Sequence, residues 1–467
     1  VRSRIALIGI LVLVALSSAA GATSFAHIHA QSADRAALQA KANALFEDQP
    51  DRHPHRMVHY GQYAYRPVSA LSAFDPGVDP YTGTVLYLEG HRQNSATFSA
   101  VRENSSLMRF GALTPAFVLQ TLAPLLLIFL GFSVVARERE SATLAQLRAH
   151  GVSAAQVIIG KTLALACIAF AALLPALLVL ALISLQSSQN TTGAALIALG
   201  YGVYLAIWVI AIVAISAWMR TAGAALMVLA AVWSATTILA PRLAADVAGM
   251  LHPLPSRAET DLAIQAELRT LGDSHNPDDP FFAAFRQRTL AQYGVARIED
   301  LPFNFRGAIS AEGEALTSRL FNEYSARMNA RLTAQSQVKN AFSVISPAIA
   351  ARRISMSAAG SDLRNHMRFL EQAEAYRFDL IQRLNGLHRD ALTLADDAAR
   401  SRDPEAERRT RISQANWAQL PDFRFTPPSP SEKVAAAATG LSWLAIWLIG
   451  AVALAIFAAR RLARSVA

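Results

Sequence analysis

The chain holds a single cysteine, Cys167, among 467 residues. Neither a disulfide framework nor a thiolate zinc site can be built from one chain of this kind. It also has no H-E-x-x-H helix, no nucleophile elbow and no Ser-His-Asp constellation, so no catalytic residue is assigned and the chain reads as a non-enzyme. The stretch Ala155-Gln156-Val157-Ile158-Ile159-Gly160-Lys161-Thr162 nearly spells a phosphate-cradling loop, but its first glycine is missing and no buried strand precedes it. Lys161 reads instead as a cation snorkelling at the start of an apolar run. Ionisable groups are scarce inside the long apolar runs, which argues against an ion pump or secondary transporter working alone. The arginines behind the formal charge of +9 are dispersed rather than clustered with aromatics, which excludes a nucleic-acid partner. No solenoid repeat is present.

What the chain has in plenty is apolar sequence, at 53% hydrophobic residues. A helical span needs about 20 mainly apolar residues. Runs at 5–20, 113–135, 162–185, 194–218, 222–240 and 434–459 fit that length or approach it. The first is marginal: Arg2 and Arg4 precede it, and Ala20-Gly21-Ala22 resembles a signal-peptidase site, so a cleaved signal peptide stands beside an uncleaved span. Pro115, Pro124 and Pro175 interrupt later runs, which suits helices packed in a bundle. The small polar residues Gln120, Thr121, Ser216, Ser234, Thr236 and Thr237 read as glue between helices before they read as a path.

Between the spans lie two large polar segments, 23–112 and 241–433. Residues 84–89 predict a short strand. Helical periodicity covers 258–271, 311–340 and 363–400, and a Pro-rich connector around Pro427 leads to the last span. Charge fixes the expected orientation. Arg2, Arg4, the 136–161 loop, Arg220 and the arginine tail at 460–467 fall on one side, and short basic segments stay cytoplasmic. Both termini are therefore expected inside and both large segments outside.

The histidines His53, His55 and His59 lie close together, with His27 and His29 upstream. Imidazole is a common metal ligand, but Pro54 breaks the spacing and no cysteine is near. The sequence assigns no metal site, and a solvated loop cluster is the expectation. The acidic pairs Asp278-Asp279 and Asp396-Asp397 read as solvated surface or helix ends.

The most informative stretch is 131–162, where an apolar run ends in Arg137-Glu138-Arg139-Glu140 and a short amphipathic segment with Leu144, Leu147 and Val152 follows. Too short to cross a bilayer, it should lie on the surface. The string Arg139-Glu140-Ser141-Ala142-Thr143-Leu144, then Leu147, Gly151-Val152-Ser153 and Gly160-Lys161, resembles the loop after the second span of ABC-2-type transporter permeases. Members usually read Glu-x-Gly-Thr-Leu here, and this chain has Ala142 for the glycine. Further strings look like those of an ABC-2 subgroup with large extracytoplasmic insertions. They are His59-Tyr60-Gly61, Asp75-Pro76-Gly77, Tyr81-Thr82-Gly83, Arg109-Phe110-Gly111, Pro302-Phe303-Asn304-Phe305-Arg306-Gly307, and Ser346-Pro347 through Ala359-Gly360-Ser361-Asp362.

The resemblance implies a mainly α, polytopic membrane protein with six transmembrane helices and two extracytoplasmic domains, the larger one helical. Its parts would be a first span at 1–22, an outer domain at 23–112, a second span at 113–135, a cytoplasmic loop at 136–161, spans three to five at 162–240, a helical outer domain at 241–433 and a sixth span at 434–459. It further implies a permease subunit of an ATP-driven transporter in a bacterial inner membrane, for export or energy transmission. The chain itself would carry no cofactor; ATP and magnesium would sit in a separate ABC ATPase dimer. A second permease subunit, identical or related, and a periplasmic partner complete the expected set. Arg137, Arg139, Glu140, Thr143, Leu144 and Leu147 would form the coupling element that docks the ATPase. The alternative is a membrane-anchored extracytoplasmic receptor, sensor or assembly scaffold without transport, for which six spans exceed what anchoring needs.

Overall fold

The computed structural model describes residues 4–99, 112–272, 276 and 278–464. Arg2 and the Arg109-Phe110-Gly111 string lie outside the described residues. Six helices among those described are long and apolar enough to cross a membrane.

The first helix, α1 (Arg4–Glu47), runs for 44 residues, about 66 Å at 1.5 Å per residue. That is roughly twice the ~30 Å hydrocarbon layer. Hydropathy falls after residue 22, yet the helix continues, because 30–47 is rich in alanine, leucine and glutamine and contains no proline. Its polar half then carries the chain beyond the apolar runs into a second, more polar body. There Gln39 accepts from the backbone N of Tyr65 at 2.8 Å, and Arg35 donates to the carbonyl of Arg66 at 3.0 Å.

After α2 (Pro54–Tyr60), the strands β1 (Gln62–Tyr65) and β2 (Val85–Leu88) pair antiparallel, with Gln62 opposite Leu88 and Tyr65 opposite Val85. The second span, α3 (Pro115–Glu140), carries a wide π-turn at Val118–Leu122 and a break at 132–135. A short helix, α4 (Thr143–Ala149), precedes the third span, α5 (Ala154–Gln186). Ser153 opens α5 with a capping box, its hydroxyl accepting from Gln156 N while the Gln156 side chain accepts from Ser153 N. The fourth and fifth spans are α6 (Thr191–Trp218) and α7 (Ala222–Leu251), the latter with a second π-turn at Ser234–Leu239.

The π-turns free backbone carbonyls, and polar side chains of neighbouring helices and of the α11 cap take them up. Tyr204 donates to Gln120 O at 2.8 Å, Trp233 to Thr121 O at 3.2 Å, and Ser346 to Thr236 O at 2.5 Å. Gln120 itself donates to Ala348 O at 3.1 Å. Among the positions read as glue, Gln120 thus joins helices through its side chain, whereas Thr121 and Thr236 do so through backbone carbonyls.

The second large segment contains α8 (Arg257–Leu271), α9 (Pro280–Tyr293), α10 (Phe305–Ala341), α11 (Pro347–Ala359), α12 (Leu363–Ala391) and α13 (Leu394–Ala399) before the sixth span, α14 (Pro430–Arg464). The expected 363–400 helix is broken at Leu392-Thr393, where Thr393 caps α13 by accepting from Asp396 N at 3.1 Å. Along α12 the buried residues Phe369, Ala373, Arg377, Leu380, Ile381, Leu384 and His388 recur every three or four positions, so one stripe faces inward.

That stripe unites the two inserted segments. Met57 and Val58 of α2 pack with Leu380, Ile381, Leu384 and Trp417. Ala64, Leu86 and Leu88 of the strands pack with Phe369, Ala373 and Phe423. The segments 48–99 and 252–429 therefore share their cores and form one composite body. Two parts of it enter the main core of the bundle: α11 with Ala350, Ala351, Ile354 and Ala358, and the first segment with Leu71, Ala73 and Phe74. Small residues on the spans allow this. A Cβ on Gly193 of α6 would lie 2.6 Å from Ala358 O, and one on Gly440 of α14 would lie 2.7 Å from Ile354 Cγ1.

Candidate coupling site and the histidine groups

At the end of the bundle remote from the composite body, the chain leaves α3 and meets the α6–α7 turn. Ser216, fully buried in α6, accepts through its hydroxyl from Val135 N at 3.1 Å and Ala136 N at 3.2 Å. These two donors fall at the break in α3, where the helix cannot satisfy them. Arg139 donates through its guanidinium to the carbonyls of Met219 and Ala217, closing the end of α6. Glu140 accepts from Ala222 N at 2.9 Å, one of the orphan donors in the first turn of α7. Lys161 pairs with Glu138, which ties the start of α5 to the same cluster. Thus Lys161 acts as an ion-pair partner at the span boundary.

Leu144 is 1% exposed and belongs to the main core, so it roots α4 in the bundle. Thr143 and Leu147 are half-buried, and Arg137 and Glu140 are exposed. The outward face of the loop is Arg137, Ser141, Ala145, Gln146 and Ala149. Leu144, expected to dock the ATPase, turns inward instead. Ala142 has φ +57° at the N-cap of α4, a left-handed conformation that glycine adopts freely. At the one position where this chain departs from the usual glycine, alanine pays about 1 kcal/mol of backbone strain.

A cavity of about 550 Å³ lies where the bundle meets the body, lined in part by Gln120, Thr121, Thr237, Lys339, Arg352 and Arg353. Burial, aided by the neighbouring Arg352, lowers the Lys339 ammonium below its ordinary range. The glue residues Gln120, Thr121 and Thr237 therefore also face a space.

The histidines divide into two groups. His53 caps α2 through Nδ1, which accepts from His55 N at 3.1 Å. Its Nε2 lies 3.2 Å from Asp397 Oδ1, and His388 Nε2 lies 2.8 Å from Asp397 Oδ2. Asp396 and Asp397 lie in the first turn of α13, the helix end that was one of the two expectations, but Asp397 is 1% exposed and is not solvated surface. The break at Leu392-Thr393 folds α13 back so that Asp397 meets His388, nine residues earlier, and Asn304 Nδ2 adds a 3.1 Å bond. Arg400 Nε lies 3.2 Å from the same carboxylate. Burial alone would raise the Asp397 carboxyl, but the bonds from His388 and His53 outweigh it and hold it well below the usual carboxylate range. The other acidic pair is a helix end: Asp279 caps α9, accepting from Phe281 N at 2.9 Å.

His55, whose ring lies 6.1 Å from that of His388, and His59 meet His91, from the loop after β2, which the sequence analysis did not single out. The signal was too distant: His91 follows His55 by 36 positions, and only the β1–β2 hairpin brings it back.

Two family comparisons bear on the chain. Residues 93–236 match the ABC-2 family transporter protein family, and residues 257–426 match a domain of unknown function (DUF3526). No curated protein and no solved structure matches. The first match covers α3 to α6 and much of α7, including the whole cluster around Ser216, Arg139 and Glu140; the second covers most of the helical part of the body. Residues 93–236 thus carry an ABC-2 family transporter region within a bundle of six candidate spans, which supports an ABC-2-type permease component.

Proposed function

We propose that the chain is the permease of an ATP-driven export or energy-transmission system, coupled through α4 and the preceding turn to a separate ABC ATPase dimer that holds ATP and magnesium. The permease acts with a second permease subunit, identical or related. Its charged end is cytoplasmic and its composite body stands outside a bacterial inner membrane. Arg137, Arg139, Arg148, Lys161, Arg220, Arg460 and Arg461 all belong to the short segments on the α4 side, in keeping with positive-inside orientation.

One observation carries this reading: α6 touches both ends of the apparatus. Near its C-terminus Ser216 holds the break in α3, and Arg139 closes the same end. Near its N-terminus Gly193 packs against α11 of the body. A packed helix transmits displacement because its core contacts are dense and resist compression. Nucleotide-dependent movement of α4 would thereby bias the body between two arrangements.

The test is ATP hydrolysis by purified components. The isolated chain should hydrolyse no ATP, whereas the complex with its ATPase should. Lys161→Ala should leave nucleotide binding by the complex unchanged, since Lys161 pairs with Glu138. Hydrolysis by the single chain, lost on Lys161→Ala, overturns the reading.

A further inference from the structure

We propose that His55, His59 and His91 form a binding site for one divalent transition-metal ion of the class that favours imidazole, such as Zn²⁺, on the composite body. This inference stands on the geometry of the body and does not depend on the transport reading.

His55 and His59 lie one helical turn apart on α2, and their Nε2 atoms are 3.2 Å apart. Two imidazole nitrogens bound to one tetrahedral ion at 2.0–2.1 Å are separated by about 3.3 Å. The pair is thus already at coordination spacing. His91 completes the set: its ring centroid is 5.3 Å from that of His59 and 5.9 Å from that of His55. One nitrogen from each of the three rings lies within 4.8 Å of the others. Small rotations about the side-chain torsions close that to bonding geometry.

The backbone is shaped to bring His91 there. Gly90 donates to Val58 O of α2 at 3.0 Å, and a Cβ on Gly90 would lie 2.2 Å from Val58 Cγ1. Only glycine lets the loop approach α2 so closely. His91 itself has φ +64°, a conformation few non-glycine residues adopt.

Behind the ligands lie groups that orient them. Glu314, fully buried, accepts from His91 N at 2.8 Å, and its Oε2 stands 3.5 Å from His91 Nδ1. A carboxylate behind the far nitrogen is the arrangement that fixes a metal-binding imidazole and raises its basicity. Arg377 in turn holds Glu314 at 2.6 Å. His55 is fixed through its backbone by the His53 cap, and its Nδ1 is buried with no hydrogen-bond partner among the described residues.

The second group, His53, His388 and Asp397, is a poorer host. The oxygens of Asp397 already face His53, His388, Asn304 and Arg400, so a cation there would meet a fixed guanidinium. All three of its residues are buried, whereas His59 is exposed. Three protein ligands beside an exposed edge leave a fourth position for water or an incoming ligand, which suits exchange rather than a closed structural role.

The experiment uses the full-length chain in lipid nanodiscs, carrying no polyhistidine tag and stripped with a chelator. Zn²⁺ is titrated against a competing fluorescent indicator, and Co²⁺ is added separately to read coordination from its visible spectrum. We expect one Zn²⁺ per chain and a tetrahedral Co²⁺ spectrum. His59→Ala, at an exposed position, should weaken Zn²⁺ by at least about 100-fold and abolish the Co²⁺ bands, without shifting the thermal midpoint. His91→Ala should do the same, and His150→Ala, on the opposite end of the bundle, should change nothing. Absence of stoichiometric Zn²⁺ overturns the proposal. So does binding that survives His59→Ala, or binding that is lost in His388→Asn while His59→Ala retains it.

Discussion

A chain carrying both Glu140→Ala and Leu144→Ala should insert at wild-type levels yet lose transport by at least about tenfold. Leu144 is 1% exposed in the main core, and truncating a buried leucine to alanine costs about 2–5 kcal/mol. The helix it anchors has only seven residues, too few to persist without tertiary packing. Glu140 supplies the acceptor for Ala222 N at the start of α7. Removing both takes α4 out of its anchorage in the main core and breaks the loop's tie to α7, leaving Arg139 as its hold on the end of α6. The loop can then still meet an ATPase, but its position no longer reports on the bundle. Even a 1.4 kcal/mol loss of coupling is tenfold. Co-purification with the ATPase, together with a transport or growth assay, measures the effect. Wild-type behaviour in both assays would mean that this loop is not the coupling element.

Arg377→Ala should be the most damaging single change in the composite body. The guanidinium, 1% exposed, bonds Glu314 at 2.6 Å, Ser318 at 2.7 Å, Glu374 at 2.7 and 2.8 Å, and Glu89 O at 3.0 Å. Its loss strands Glu314, which is fully buried, and an uncompensated buried charge costs about 3–5 kcal/mol. Arg383 pairs with Asp379 at 2.7 Å on the same helix, but both are about half exposed, so Arg383→Ala should cost under about 1 kcal/mol. Thermal unfolding and limited proteolysis of the two variants compare them directly. Equal effects would show that the Arg377 network does not hold the body together.

The sequence made local features legible and left long-range ones hidden. The spans, the strand at Val85–Leu88 and the helices beginning near 257 and 363 were readable because hydropathy and periodicity are properties of neighbouring residues. The length of α1 was not, since polarity after residue 22 marks the end of the apolar layer and not the end of a helix. Asp397 looked solvated because its partners His53 and Asn304 lie 344 and 93 positions away. Leu144 looked like a docking residue because amphipathicity gives a face without saying what covers it. The α11 wedge was invisible for the same reason: its small residues gain meaning only against Gly193 and Gly440.

In the proposed arrangement the body stands on one side of a membrane and the ATPase on the other, and sidedness tests that most directly. Ser401→Cys in the body and Ser141→Cys beside α4 are both exposed positions. Each is introduced singly after the lone cysteine is removed as Cys167→Ser, and intact cells are treated with a membrane-impermeant maleimide. The account predicts that Ser401→Cys is labelled from outside and that Ser141→Cys reacts only after permeabilisation. Labelling of Ser141→Cys in intact cells, with Ser401→Cys protected, would contradict it.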